Sequence, residues 1–333
     1  MELKAKYHYT HFIYPFVVEG NKNIGFLQSL LSKEKLWKFK IDEQKNDSEL
    51  YNFFLPYMRK FLFPTLFWSK DYIKQFKGLS PLKKSYTLNK LSCSTFEYNL
   101  SSIKTGDILD EKYDQIHFDI CSIQLVCFEQ GNCFLDIKAE IDEGGRSIDF
   151  NKILDFNYFF RELTPRAVSS LDKVSNIKGK KIDDVKNIAK FIESITKGYE
   201  SNDLEKIYYD KMFTYSYVCI DGWNEDNDFS KFENEFYKYQ YVINSKNSAL
   251  FNKDCERLKQ DRYSRWQYSM FGFSRESGVV LVSDKEKFNI TKMPYDYEKK
   301  YLYMLLLAFY QRMSLINFSQ DLLKKDKTKV KLL

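Results

Sequence analysis

The apolar positions change period along the chain, and each change marks an element. "KYHYTHFIYPFVVEG" is dense in aromatic and β-branched residues up to Gly20 and predicts an opening strand. Phe26, Leu30, Leu31, Leu36, Trp37 and Phe39 then recur at helical spacing. "SELYNFFLPYMRKFLF" predicts a second helix, disturbed at Pro56. The clearest strand signal is "QIHFDICSIQLVCFEQGNCFLDIKAEI", in which two β-rich runs flank a hairpin turn at Gly131-Asn132. Simple alternation along the first run puts Phe118, Ile120, Val126 and Phe128 on one face and Ile123, Leu125 and Cys127 on the other. Apolar residues on both faces predict a central strand covered on both sides.

Further on, "DEGGRS" turns the chain and "DFNKILDFNYFFREL" reads as a helix up to Pro165. Residues 166–179 are mostly polar and predict a loop. Ile182, Val185, Ile188, Ala189, Ile192 and Ile195 step by three and four, with Gly198 placed as a cap, and predict an amphipathic helix. "KIYYDKMFTYSYVCI" alternates as a strand with Phe213, Tyr215, Tyr217 and Cys219 on one face. Ser230 and Glu233 form a capping box ahead of another helix. Two strands flank "SRESG", and Pro294 opens a terminal helix near its first position. Helices alternate with strands throughout, so the expected fold is α/β (α+β), a central β-sheet covered by helices and followed by a long C-terminal stalk-like helix. The division expected is a domain over 1–293 and the start of the stalk over 294–333.

The terminal segment carries the most information. From Tyr301 to Phe309 it is apolar all round, which predicts packing on several sides. Phe309, Met313, Ile316, Gln320, Leu323, Lys327 and Val330 then step by four and three, a heptad seam that predicts partner helices. The helix shows no closing Gly, Asn or Pro before Leu333, so a continuation beyond the chain is expected. The longest apolar run, Tyr301 to Tyr310, is half of the roughly 20 residues a membrane span needs.

Composition narrows the function classes. A 44% hydrophobic chain of 333 residues with 29 Phe and 25 Tyr has ample material for a core and is not a disordered one. The net charge of +6 is too small and too dispersed for a dedicated duplex nucleic-acid binder. Cys93, Cys121, Cys127, Cys133, Cys219 and Cys255 form no CxxC pair, and no apolar signal core opens the chain, so buried free thiols are expected. No Walker loop, GxGxxG, GxSxG or HExxH occurs, and no enzyme class is signalled.

"RWQYSMFGFSRESGVVLV" followed by "YLYMLLLAFYQRMSLINFSQDL", Arg265 to Leu322, resembles the end of the cytosolic domain and the start of the stalk helix in divergent CorA-like divalent-cation channels. The paired transmembrane helices and the Gly-Met-Asn pore motif of that family are absent from the sequence. The resemblance implies a cytosolic regulatory or ligand-sensing domain on the cytoplasmic side of the cell membrane. It further implies a homo-oligomer joined through the C-terminal helix, a membrane connection through a following segment, and Mg²⁺ as regulatory ion. Some such proteins accompany type III CRISPR systems, where the cytosolic part is thought to sense a nucleotide messenger. Two alternatives remain, a soluble nucleotide-binding or nucleotide-processing protein and a coiled-coil interaction module.

Three groups are candidate sites. Arg262, Arg265, Trp266 and Arg275 combine guanidinium forks for phosphate with a face for base stacking, as a nucleotide sensor requires. Arg262 and Trp266 share a face with Lys259 if the stretch is helical; alternatively a strand begins at Arg265. Asp221, Glu225, Asp226 and Asp228 cluster after a strand, and carboxylates of this density suit Mg²⁺ or Ca²⁺, although no EF-hand register fits. His117, Asp119 and Cys121 alternate along one strand as a relay or activated thiol would. His8 and His11 lie an odd number of residues apart, so they face opposite sides of their strand and do not share a metal.

Overall fold

In the computed structural model, the residues described are 3–100, 105–108, 116–163, 176–178, 188–199, 211–223, 232–247, 262–264, 266 and 268–330, with side chains described up to 319 in the terminal helix. One mixed sheet organises them. Its strands are β1 (Lys4–Val17), β2 (Trp37–Phe39), β3 (Cys93–Tyr98), β4 (Thr105–Ile108), β5 (Ile116–Phe128) and β6 (Asn132–Ile141). They continue as β7 (Ile148–Asp149), β8 (Asn176–Lys178), β9 (Phe213–Ile220), β10 (Arg262–Tyr263), β11 (Ser269–Phe273) and β12 (Ser277–Ser283). The order is β10-β11-β12-β9-β1-β6-β5-β3-β2, with β4 between β5 and β8, and β7 on the start of β1. Among the described strands only β12 and β9 run parallel, which requires the crossover through α8 (Glu233–Gln240).

The remaining helices are α1 (Asn23–Ser32), α2 (Ser48–Phe53), α3 (Pro56–Leu62), α4 (Lys70–Lys77), α5 (Pro81–Leu88), α6 (Phe150–Phe160) and α7 (Ile188–Thr196). Phe26, Phe76, Phe156, Ile192 and Phe236 bring α1, α4, α6, α7 and α8 onto one face of the sheet. Tyr51, Leu62 and the terminal helix cover the other. Every residue of β9 is buried, as a strand between two layers must be. The expected α/β fold is therefore the fold observed.

Local chemistry explains several boundaries. Pro56 starts α3 at its first turn instead of interrupting a helix, because a proline there gives up an N–H with no intrahelical partner. The predicted helix through Phe39 ends at Ser32, and Trp37 and Phe39 pair with Tyr98 and Phe96 as strand β2. The β5–β6 turn has left-handed backbone at Gln130 and Gly131 (φ 65° and 80°), one residue earlier than Gly131-Asn132.

The terminal helix is part of the core and not a separate body. A turn at Met293–Asp296, with Pro294 inside it, leads through a π-helical turn at Tyr297–Tyr301 into a helix over Leu302–Val330. Leu302, Tyr303, Leu306 and Met313 are buried against the sheet, so a boundary at 293/294 cuts through packing. Met304 is half exposed, so the segment packs on the sheet side alone, contrary to its all-round apolar sequence. The first seam members are also spent internally: Phe309 packs on Phe134 and Phe213, and Met313 is buried. Lys300 fixes the root to α2 through Glu49 (2.6 Å).

Candidate functional site

Alternation along β1 turns His8, Thr10 and Phe12 toward α6 and turns Tyr9, His11 and Ile13 toward the terminal helix, as the spacing of the histidines requires. His8 accepts a hydrogen bond from the Ile141 N–H at Nε2 (2.9 Å), and burial pushes its pKa down to about 3. His11 has a different environment. Its Nδ1 lies 3.0 and 2.9 Å from the two oxygens of Asp136 on β6, and both side chains are fully buried. Gln124 on β5 donates to the same carboxylate (2.8 Å). A carboxylate accepts, so the ring hydrogen belongs on Nδ1 and Nε2 of a neutral ring is an acceptor. Nε2 is buried with no partner among the described residues.

A β-bulge makes this arrangement possible. Ile120 pairs with Ala139 and Ser122 with Lys138, which leaves Cys121 as the extra residue. The bulge reverses the alternation of β5, so Ile123, Leu125 and Cys127 join Phe118 and Ile120 on the α6 side. Gln124 is thereby brought to the other side, opposite Asp136. Regular alternation assigned these faces differently, and the unmatched residue is the reason.

Tyrosines and one ion pair fasten the root of the terminal helix beside His11. Tyr9 donates to the Pro294 carbonyl (2.6 Å) and Tyr215 to the Tyr297 carbonyl (3.1 Å). Tyr217 donates to the Asn289 carbonyl, and Tyr297 to that of Gly278 (2.9 Å). The Tyr215 and Tyr297 rings stack at 4.0 Å. Burial raises the phenols of Tyr9, Tyr215 and Tyr297 well above their ordinary value, so they remain donors. Lys138 bonds Glu298 (2.7 Å) and lies over the Tyr9 ring (4.6 Å). Burial works against the charge on Glu298, yet Lys138 and Lys299 hold its carboxyl below the usual range.

A polar cleft of about 480 Å³ opens next to this joint. His11, Gln124, Glu298 and Lys299 line one side, and Lys38, Lys40 and Glu97 of the β2–β3 edge line the other. Charges of both signs, a buried dyad and a ring nitrogen with no partner among the described residues thus meet at the root of the terminal helix.

Of the residues singled out in the sequence, His11 and Cys121 line this cleft, and the described members of the arginine and acidic groups are placed elsewhere. Arg262 is in strand β10 and not on a helix; its guanidinium lies over Phe236 (5.1 Å) and bonds Gln240 on the α8 side. Trp266 lines a hollow on the opposite side with Phe271 and Phe288. The structure therefore separates Arg262 from Trp266. Arg275 is in the β11–β12 turn, and Arg265 lies outside the described residues. Asp221 accepts from Ser147 (2.6 Å), while Glu225, Asp226 and Asp228 lie outside the described residues. Among the described residues no group of His, Cys, Asp or Glu converges as a metal site would. Cys121 is the unmatched residue of the bulge and is exposed, against the expectation of a buried thiol, and partial desolvation with Glu140 nearby pushes its pKa up to about 12, the reverse of activation. Cys93, Cys127, Cys133 and Cys219 are buried free thiols.

Compared with protein-family models, with curated proteins and with solved structures, the chain matches none of them. Among the described residues no helix is long and apolar enough to cross a membrane. Sequence reading passed over Asp136 and Glu298. The signal available was a charged residue in each of two otherwise apolar segments, "CFLDI" and "YDYEKKYLYMLLL".

Proposed function

We propose that the chain is a ligand-sensing regulatory domain whose output is the packing of its terminal helix. The observation that carries this reading is that Glu298 and Lys299, at the helix root, line the same cleft as the buried His11. A polar ligand there competes with Lys138 for Glu298 and supplies the missing partner of His11 Nε2. It thereby acts on the joint between helix and sheet, the differential contact a conformational response needs. Lys38, Lys40 and Lys299 suit phosphate, and Gln124 and Glu97 suit the hydrogen-bonding edge of a base, which favours a nucleotide. The CorA-like resemblance of Arg265 to Leu322 supplies the target, a divalent-cation pore in an oligomer at the cytoplasmic membrane face, with Mg²⁺ as a second effector. Leu315 and Phe318, 67% and 62% exposed on the outer side of the helix, are the surface through which copies would feel the change.

Hydrogen exchange on the full chain tests the reading. The probes are Mg²⁺ and the mono- and short oligonucleotides of adenine and guanine, linear and cyclic. One nucleotide is expected to alter amide exchange across Tyr297 to Phe309. Lys38→Ala and Lys299→Ala each weaken its binding roughly tenfold at unchanged melting temperature. Exchange in that segment indifferent to every probe would overturn the reading. The coding frame beyond Leu333 separates the targets: two apolar runs of about 20 residues support a pore, and a stop codon leaves a sensor without one.

A further inference from the structure

The same helix root has a second flank. A hollow of about 600 Å³ opens there, between β11 and the short helix Lys287–Thr291. Its walls are mostly rings, from Trp266, Phe271, Phe288 and Tyr301, with Met293 at the helix. Trp266 and Phe288 are 57% and 52% exposed, so their rings are open to a ligand in the hollow. Volume and lining fit a small-molecule site: apolar, concave, with few polar groups.

The polar groups define the ligand. Ser269 and Phe271 are two residues apart on β11 and so share a face. Ser269 is 93% buried, and its hydroxyl has no partner among the described residues. Asn289, by contrast, is already engaged, donating to the Ser283 carbonyl (2.9 Å). The only charged residue that lines the hollow, among the described residues, is Glu286.

We propose that this hollow binds a small flat aromatic molecule carrying an amine or protonated nitrogen. Its ring stacks against Trp266 and Phe288, and its nitrogen serves Glu286 and the Ser269 hydroxyl. A phosphorylated or carboxylated ligand is disfavoured, because among the described residues a carboxylate and no lining cation meets it. Met293 and Tyr301 belong to the helix root, so occupancy bears on the joint that the polar cleft touches from the other side. The site stands without that cleft, since no residue lines both.

Calorimetric titration of the full chain with tryptamine, indole and indole-3-propionate tests the proposal, the three probes sharing one ring and differing in charge. Tryptamine is expected to bind most tightly, and the propionate at least about tenfold more weakly. Trp266→Ala is expected to weaken tryptamine about tenfold, in line with the loss of one stacking partner. Glu286→Gln, an exposed change that leaves folding alone, removes the preference between amine and acid. Equal affinity for all three probes, no binding of any, or tryptamine binding unchanged in Trp266→Ala would each overturn it.

Discussion

Two buried histidines three residues apart on β1 sit in different surroundings, and the difference lies in one neighbour. His8 has no acid beside it, and desolvation alone drives its pKa from 6.5 to about 3. The folded chain therefore keeps this ring neutral where the unfolded chain protonates it. The stabilisation is complete above pH about 6.5 and is lost as pH falls from there toward 3, by up to about 1.4 kcal/mol per pH unit. Urea midpoints measured across that range should fall with pH, and His8→Gln, which keeps an acceptor for the Ile141 N–H, should flatten the slope by close to one proton. His11 is instead held by Asp136, itself fully buried. Asp136→Ala leaves the His11 Nδ1–H and the Gln124 amide without an acceptor and should cost about 3 kcal/mol in chemical denaturation. Asp136→Asn, which still offers His11 an oxygen, should cost less than half as much. The spacing of the two histidines was enough to send them to opposite faces. Their environments were not legible, because Asp136 reaches His11 only through strand pairing across 125 positions.

At the level of elements, periodicity was readable wherever packing is regular. Strands β1, β9, β11 and β12 and helices α6 and α8 follow their patterns, because each buries a stripe or a face at its own period. The failures have local causes. Trp37 and Phe39 follow the helical step count from α1, but they pair with β3, and edge pairing outweighs propensity in so short a run. The bulge at Cys121 left no mark, since Ser122 and Gln124 look like ordinary outward residues of a strand. The turn into β6 was half legible: its glycine was visible, but not its strained register. Gly131 has φ 80°, and a Cβ added there would collide with the Val18 carbonyl oxygen, while the Val18 N–H donates to the Gly131 carbonyl (2.8 Å) and holds the two backbones together. Gly131→Ala should therefore cost about 2 kcal/mol or more and lower the thermal midpoint by several degrees, whereas Ala at Gly20, with open space around it, should be nearly silent.

For the whole molecule, the terminal helix is where fold and proposed function meet. Its inner side is occupied: Phe309 and Met313 pack on the sheet, and Tyr310 donates to Glu129 beside the β5–β6 turn (3.1 Å). These residues cannot also serve a partner helix, so the heptad seam read from the sequence begins too early. If copies assemble through this helix as proposed, the surface left for it is the outer side, where Leu315 and Phe318 lie one turn apart and mostly exposed. Oligomerisation through that side leaves the joint at Glu298 free to respond, because the root faces inward and the contact faces out. Sedimentation velocity should then show concentration-dependent assembly of the full chain. The double change Leu315→Asp and Phe318→Asp should shift it to the monomer at unchanged melting temperature, since neither side chain belongs to the buried core. A change at the inner side, Met313→Asp, should instead lower the melting temperature, because it places a charge in the apolar cluster on the sheet. A wild-type chain that stays monomeric, or an assembly untouched by the outer pair, would remove the helix as the route between copies and leave the two hollows at its root as sites acting within one chain.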